Sequence, residues 1–348
     1  MKFLRFFLIF IPISLVCEYM HFSPVIIFGV SALSIIPLAG VMGEATEEIS
    51  VYSGPRVGGF LNATFGNATE LIISFFALKA GLFDVVKASI AGSVIGNILL
   101  VLGASMFLGG IKFKSQKFSK KQVEVSASML LFSVIGLSIP AIFTHTLNPD
   151  ILTNSRYEGL SIAVAFIMFF IYVMSLYFSF YTHKDIFGAE HDSAVESKWS
   201  LKKSVMILVL ATLAIAFESE FLVSSVEPMT KAIGLSSFFV GIILIPIIGN
   251  AAEHSTAVMM AMKNKMDVAI EIALGSSLQI ILFVAPVLVF MSLLFKPMSI
   301  IFNEFELVAL IVSVLIANRV AGDGESNWLE GLQLIAVYVI IAVSFLNL

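Results

Sequence analysis

Apolar residues run along this chain in windows of about twenty, broken only by short polar turns, and that spacing leaves little choice of fold. The windows fall near 4–20, 24–42, 59–79, 84–110, 123–143, 157–182, 201–226, 232–262, 267–295, 304–320 and 328–347. Each is long enough to cross roughly 30 Å of hydrocarbon as a helix. A backbone at that depth has no water to bond to, so it must satisfy its own N–H and C=O groups. The expected fold is an all-α polytopic membrane protein of eleven transmembrane helices. Composition agrees, with 59% hydrophobic and 13% charged residues, where a soluble domain is nearer a quarter charged. Twenty Lys and Arg in 348 residues, scattered in ones and twos, give no nucleic-acid surface. The one cysteine, Cys17, excludes an intrachain disulfide and a Cys/His zinc cluster. The first apolar run, "FFLIFIPISLVC", lacks a small-residue cleavage pattern after it and reads as a membrane helix, not a cleaved leader.

The basic residues orient the spans. Assigned to the loops between windows, fifteen Lys and Arg fall on the amino-terminal side and five on the other. The excess puts the amino terminus in the cytoplasm and, after an odd number of spans, the carboxyl terminus outside, with the cell membrane as the expected location. One long polar segment, "THKDIFGAEHDSAVESK" at 182–198, lies on the cytoplasmic side between the sixth and seventh spans; Asp185, Glu190, Asp192 and Glu196 make it acidic.

The chain also repeats itself. Shifted by 183 residues, 66–97 aligns with 249–280 without a gap, and Gly66, Asn67, Ala68, Glu70, Asp84, Val85, Gly92 and Ser93 fall on Gly249, Asn250, Ala251, Glu253, Asp267, Val268, Gly275 and Ser276. The identities cluster at polar and small positions, which apolar composition bias does not produce. With residues 1–22 as an extra helix, 23–182 and 201–348 become two five-helix repeats joined by the acidic linker 183–200. An odd number of spans per repeat inverts the second relative to the first, the arrangement of many secondary transporters.

Glu70 and Glu253 lie inside apolar windows, where an acid costs about 2.5–3.5 kcal/mol on insertion scales. No Lys or Arg is near either in its own span, so the natural counter-charge is a cation from outside the chain. The neighbouring groups offer hard oxygen: Asn67 and Ser74 beside Glu70, Asn250 beside Glu253, Ser93 and Asn97 in the fourth span, Ser276 and Gln279 in the ninth. Carboxylate, amide and hydroxyl donors without thiol or clustered imidazole suit Ca²⁺, Na⁺ or a similar ion. Gly66, Gly249 and Pro246 are expected to interrupt helices and turn carbonyls toward it. Two glutamates carry a charge that one Ca²⁺ or two protons neutralise, and competition between those states in one pocket gives exchange. His254 and Glu220 are candidate proton relays. Glu44, Glu47 and Glu48 follow the second span and read as interfacial acids. The two "NAT" sequons at 62–64 and 67–69 lie within the motif helix and are not read as glycosylation sites.

The segments "GPRVGGFLNATFGNATELIISFFALKAG" (54–81) and "GNAAEHSTAVMMAMKNKMDVAIEIALGSSLQI" (249–280) closely resemble the two α-repeats of the CAX family of Ca²⁺/cation–proton antiporters. The resemblance covers essentially the whole chain. It implies that Glu70 and Glu253 are the central Ca²⁺ and proton residues. By position it implies that Asn67, Asn250, Ser93, Asn97, Ser276 and Gln279 line the same pocket, with carbonyls near Gly66 and Gly249, and it allows Glu47 a gating role. One departure is that Asn97 aligns with Ile280, so Gln279, one position earlier, would supply the second amide. A Na⁺/Ca²⁺ exchanger of the same superfamily is the alternative; it would add hydroxyl-rich Na⁺ sites and a further acid where Gln279 and Ile280 are neutral. An intramembrane metalloprotease lacks its H-E-x-x-H pattern, and a passive channel does not need an inverted repeat. The expectation is therefore a carrier, not an enzyme, with Ca²⁺ and protons as cargo, the bilayer as partner and no cofactor; a homo-oligomer is left open.

Overall fold

The computed structural model describes residues 4–146, 154–183 and 197–347, and within them helix occupies each of the eleven apolar windows. Eight helices among the described residues are long and apolar enough to cross a membrane: Pro24–Gly54, Phe83–Phe113, Lys120–Thr144, Glu158–Thr182, Leu201–Ile233, Ser237–Ala261, Met266–Ser292 and Trp328–Leu346. The other three windows are shorter or broken. Phe10–Tyr19 is a helix of 10 residues, Glu304–Val320 has 17, and the third window is cut at Gly66–Asn67, where the Pro24–Phe65 helix stops and Ala68–Lys79 begins. Of the acidic linker, residues 184–196 lie outside the described residues.

The chain folds as two compact units, and each draws on both sequence halves: Met1–Val86 with Gly188–Glu253, and Lys87–Phe187 with His254–Leu348. The units thus cut across the segments 23–182 and 201–348 of the sequence repeat. In the first unit the Pro24–Phe65 helix packs along Leu201–Ile233, with Phe10–Tyr19 and Ala68–Lys79 against the pair. Its core is built on Leu38, Met42, Ala68, Ala211 and Ile215. The Pro24–Phe65 helix starts on a proline, which suits a first turn, and is bent at Gly54, whose φ of 77° favours a residue without Cβ. The Leu201–Ile233 helix is capped by Ser200, which accepts from Lys203 N–H, and ends at Gly234 in the left-handed region. Its outer stripe, including Met206, Leu210, Leu213 and Phe217, is exposed apolar surface of the kind lipid covers.

In the second unit Leu102–Phe113 packs on Trp328–Leu346, Lys120–Thr146 on Glu304–Val320 and Met266–Gln279, and Asn154–Tyr177 on Ala285–Ser292. The first of these contacts is made backbone to backbone. A Cβ added at Gly103 would lie 2.9 Å from the carbonyl oxygen of Gly331 and 3.0 Å from Cβ of Leu334; one added at Gly331 would meet Phe107 N and Gly103 O, and one at Gly110 the Trp328 N–H. Small residues permit this approach, which is how helices associate where apolar burial offers no advantage over lipid. The same pair of helices is joined outside the apolar windows by a two-stranded antiparallel ribbon, Ser115–Lys117 with Glu325–Asn327, in which Gln116 pairs with Ser326. These short strands are a small addition to an otherwise helical fold; three residues are too short a run for legible alternation.

Both copies of the sequence repeat follow one local course. The Ala68–Lys79 helix is followed by Gly81 in the left-handed region, then a helix with Asp84 in its first turn, then a π-helical segment, Gly96–Val101. The Ile245–Ala261 helix is followed by Asn264 in the left-handed region, then a helix with Asp267 in its first turn, then the π-helical segment Ile280–Val284. The repeated Asp–Val pair is thereby explained, since an acid at a helix N-terminus meets the positive end of the dipole. Two π segments, Val240–Leu244 and Ile280–Val284, are each followed two residues on by a proline, Pro246 and Pro286. Proline removes an N–H and crowds the preceding turn, and a wider turn relieves it.

Gly331→Ala is expected to lower stability by about 1–3 kcal/mol through overpacking, measured as thermal unfolding in detergent. Gly159→Ala, at a position with nothing within 4 Å of the new methyl, should leave the transition in place.

Candidate cation site

The structure sorts the residues singled out by sequence into two sets, one in each compact unit. In the first unit the helix is interrupted at Gly66–Asn67, as the sequence suggests. Asn67 leaves the helical region (φ −103°, ψ 19°), and its carbonyl accepts from Leu71 N–H at 3.1 Å as the next helix begins. Glu70 therefore stands in the first turn of Ala68–Lys79, where the helix dipole favours an acid. It is 4% exposed, and Asn67 is 1% exposed. Lys79, at the far end of the same helix, pairs instead with Glu220 at 3.9 Å, both side chains about half exposed.

Gly249 corrects an expectation. It lies inside the continuous Ile245–Ala261 helix and interrupts nothing. The irregularity in this half falls before Pro246, in the Val240–Leu244 segment, because proline and not glycine removes the hydrogen bond. What Gly249 provides is room: a methyl there would stand 3.2 Å from Oε1 of Glu70 and 3.4 Å from its Cδ and Cγ. The Glu70 carboxyl lies flat against the bare Cα of the helix that carries Asn250 and Glu253. Asn250, 1% exposed, donates from Nδ2 to the Pro246 carbonyl at 3.0 Å. Glu253 is half-buried, and the two carboxylates lie within each other's field. One oxygen of Glu70, Oε2, is buried with no hydrogen-bond partner, an arrangement that costs free energy unless something positive is bound or a proton is carried.

The second set is a hydrogen-bonded chain. Asn97, 1% exposed within the π-helical turn, donates from Nδ2 to Ser276 Oγ at 3.1 Å, and its Oδ1 lies 3.0 Å from His254 Nε2. The amide oxygen accepts, so His254 presents Nε2–H to it. Ser93 is buried one turn before Asn97; Gln279 is half-buried at the end of Met266–Gln279, and Ile280, the sequence partner of Asn97, is buried in the following π turn.

Four residues to which the sequence reading gave no part in the site carry structure. Glu47 is exposed, while its neighbour Glu48 is buried and its Oε2 accepts the backbone N–H groups of Lys198 and Trp199 at 2.8 and 3.1 Å. Tyr52 adds to the same point, donating to Trp199 O at 2.6 Å and accepting from Ser197 Oγ at 2.6 Å. The stretch leading into the Leu201–Ile233 helix is tied to the Pro24–Phe65 helix by these bonds. On Leu201–Ile233 the buried acid is Glu218, not Glu220. Helical phase was the available signal: the buried stripe Ala211, Ile215, Leu222, Val226 contains position 218 and excludes 220. In the second unit Gln116 is buried, donating to Ala261 O and Asn264 Oδ1.

Buried oxygen donors grouped on interrupted helices of a polytopic membrane protein are the makings of an ion carrier. A family profile described as "Sodium/calcium exchanger protein" matches residues 23–181 and 203–347, and the chain belongs to that family. It is 49% identical over 354 residues to a Ca(2+)/H(+) antiporter of Aphanothece halophytica, covering 97% of this chain and 94% of that one. It is 45% identical over 341 residues to the Ca(2+)/H(+) antiporter ChaA of Bacillus subtilis (strain 168), covering 96% of each. Among solved structures, native YfkE superposes with a TM-score of 0.85 at 42% identity, over 98% of this chain and 100% of that one. The resemblance carried by the two motifs is upheld along the whole length.

Asn97→Leu is expected to remove the amide that bonds His254 and Ser276, at a cost of about 1–3 kcal/mol. The measurement is the loss in thermal transition of the purified protein.

Proposed function

We propose that this protein is a secondary active antiporter that moves Ca²⁺ out of the cytoplasm in exchange for protons, with Glu70 and Glu253 as the groups that alternate between the metal and protons. The observation that carries the reading is the Glu70 carboxyl, buried against Gly249 with an unpartnered oxygen and within the field of Glu253. Two carboxylates at such a site are stable when a divalent cation lies between them or when each holds a proton, and bare ionised acids are the unfavourable state between. Loading one cargo thus requires release of the other. Because one Ca²⁺ replaces about two protons on this count, transport would respond weakly to membrane potential. Further ligand candidates of the hard type Ca²⁺ takes are, in the first unit, Asn67, Asn250 and the backbone near Gly66 and, in the second unit taken by itself, Ser93, Asn97, Ser276 and Gln279. His254 is then a positioning group for Asn97. That relatives at 49% and 45% identity are Ca(2+)/H(+) antiporters supports the choice of cargo.

The architecture that goes with this function is eleven spans in the cell membrane, amino terminus inside and carboxyl terminus outside. An extra helix (1–22) precedes two inverted repeats, 23–182 and 201–348, joined by the linker 183–200. The recurrence of left-handed turn, first-turn aspartate and π segment in both repeats supports the duplication.

In liposomes with an imposed pH gradient and no Na⁺, purified protein is expected to take up Ca²⁺, and Glu253→Gln or Glu70→Gln to abolish uptake. Uptake that waits for a Na⁺ gradient would move the protein to the Na⁺-coupled branch of the family and sink the proton reading. Gly249→Ala, which pushes on the Glu70 carboxyl without removing it, should raise the Ca²⁺ concentration for half-maximal uptake about tenfold, the scale on which groups supporting a metal ligand act.

A further inference from the structure

Besides Glu70 and Glu48, the first unit holds a third buried acid, outside the pair proposed for exchange. Glu218 is 2% exposed, midway along Leu201–Ile233, and its Oε1 lies 2.5 Å from Oγ of Ser14 on the Phe10–Tyr19 helix. The same Ser14 Oγ lies 2.8 Å from the carbonyl oxygen of Ile11. A hydroxyl has one proton to donate. If Glu218 is ionised, that proton serves either the carboxylate or the carbonyl, and the other short contact sets two lone pairs against each other. If Glu218 carries a proton, the chain closes: the acid O–H donates to Ser14 Oγ, and Ser14 O–H donates to Ile11 O. The remaining oxygen, Oε2, is buried without a hydrogen-bond partner, as is the Ser31 hydroxyl. An unpaired carbonyl oxygen of a neutral acid costs far less than an unpaired carboxylate.

Among the described residues, no ion pair to Glu218 is formed, and Lys79, the basic residue of Ala68–Lys79, pairs with Glu220. Phe10–Tyr19 carries Cys17 and Glu18, and Ala68–Lys79 carries Glu70 and Lys79; on Pro24–Phe65 the acids begin at Glu44, thirteen residues beyond Ser31. Among the described residues, the side chain hydrogen-bonded to the Glu218 carboxyl is Ser14. We propose that Glu218 and Ser14 form a proton-binding site, separate from Glu70 and Glu253, that holds the first helix to the Leu201–Ile233 helix while the proton is bound. The proposal does not depend on which ions the protein exchanges.

Cys17, the chain's one cysteine, lies one turn from Ser14 and is 3% exposed, so it reports whether its helix stays seated. The full-length protein in lipid nanodiscs is labelled with a maleimide at stepped pH, wild type beside Glu218→Gln, whose amide N–H replaces the acid proton. Comparing the two at the same pH cancels the rising thiolate fraction. Expected is equal slow labelling at neutral pH and roughly tenfold faster labelling of the wild type at alkaline pH, the scale of losing one strong hydrogen bond. Infrared difference spectra should contain a neutral-carboxyl band that Glu218→Gln removes and that Ser14→Ala causes to vanish at lower pH. Equal labelling at every pH, a Glu218 already ionised at neutral pH, or a band that follows Na⁺ at fixed pH would each overturn the proposal.

Discussion

The carboxyl of Glu70 sets the terms for the structure around it. A buried acid is tolerated when hydrogen-bond donors, a proton or a cation satisfy it, and Glu70 has one oxygen that no hydrogen bond reaches. The chain meets that demand with backbone. A break at Gly66–Asn67 places Glu70 at the start of a helix, and a glycine on another helix lets the carboxyl lie against main chain with one oxygen left open. Larger side chains at either place would satisfy packing and spoil the site. The repeated small-amide-small-acid signature is what such a demand looks like in sequence.

Much of this was legible beforehand. Helix positions followed from hydropathy alone, since a membrane backbone has one economical way to bond itself. The two glutamates were visible because charge inside an apolar run must have a reason, and their recurrence at one spacing supplied it. What could not be seen was local: that Gly249 makes room without breaking its helix, or that Glu48 and Glu218, not their neighbours Glu47 and Glu220, face inward. Adjacent acids are equivalent in composition, and only the phase of the buried stripe separates them. The π-helical turns were equally hidden. Prolines at 246 and 286 mark two of them, but Gly96–Val101 has no proline and widens around the buried Asn97.

Polar side chains here do two kinds of work. Asn97, Ser276 and His254 satisfy one another within the second unit, as buried polar groups must. Glu48 and Tyr52 spend their hydrogen bonds on backbone at 197–199, fixing the approach to the Leu201–Ile233 helix. Other buried serines, such as Ser277 and Ser313, bond a carbonyl of their own preceding turn.

The interleaving of the two units has a consequence for biosynthesis. Because the first unit needs residues from 188–253 and the second needs residues from 254 onward, neither can finish folding while only the first half of the chain has left the ribosome. Helices such as Pro24–Phe65 must wait in the lipid for Leu201–Ile233, a partner more than a hundred residues later. Contacts so distant in sequence form slowly. The nascent chain must therefore hold its early helices as separate spans, stable by their own hydrogen bonds, until the second half arrives to gather them.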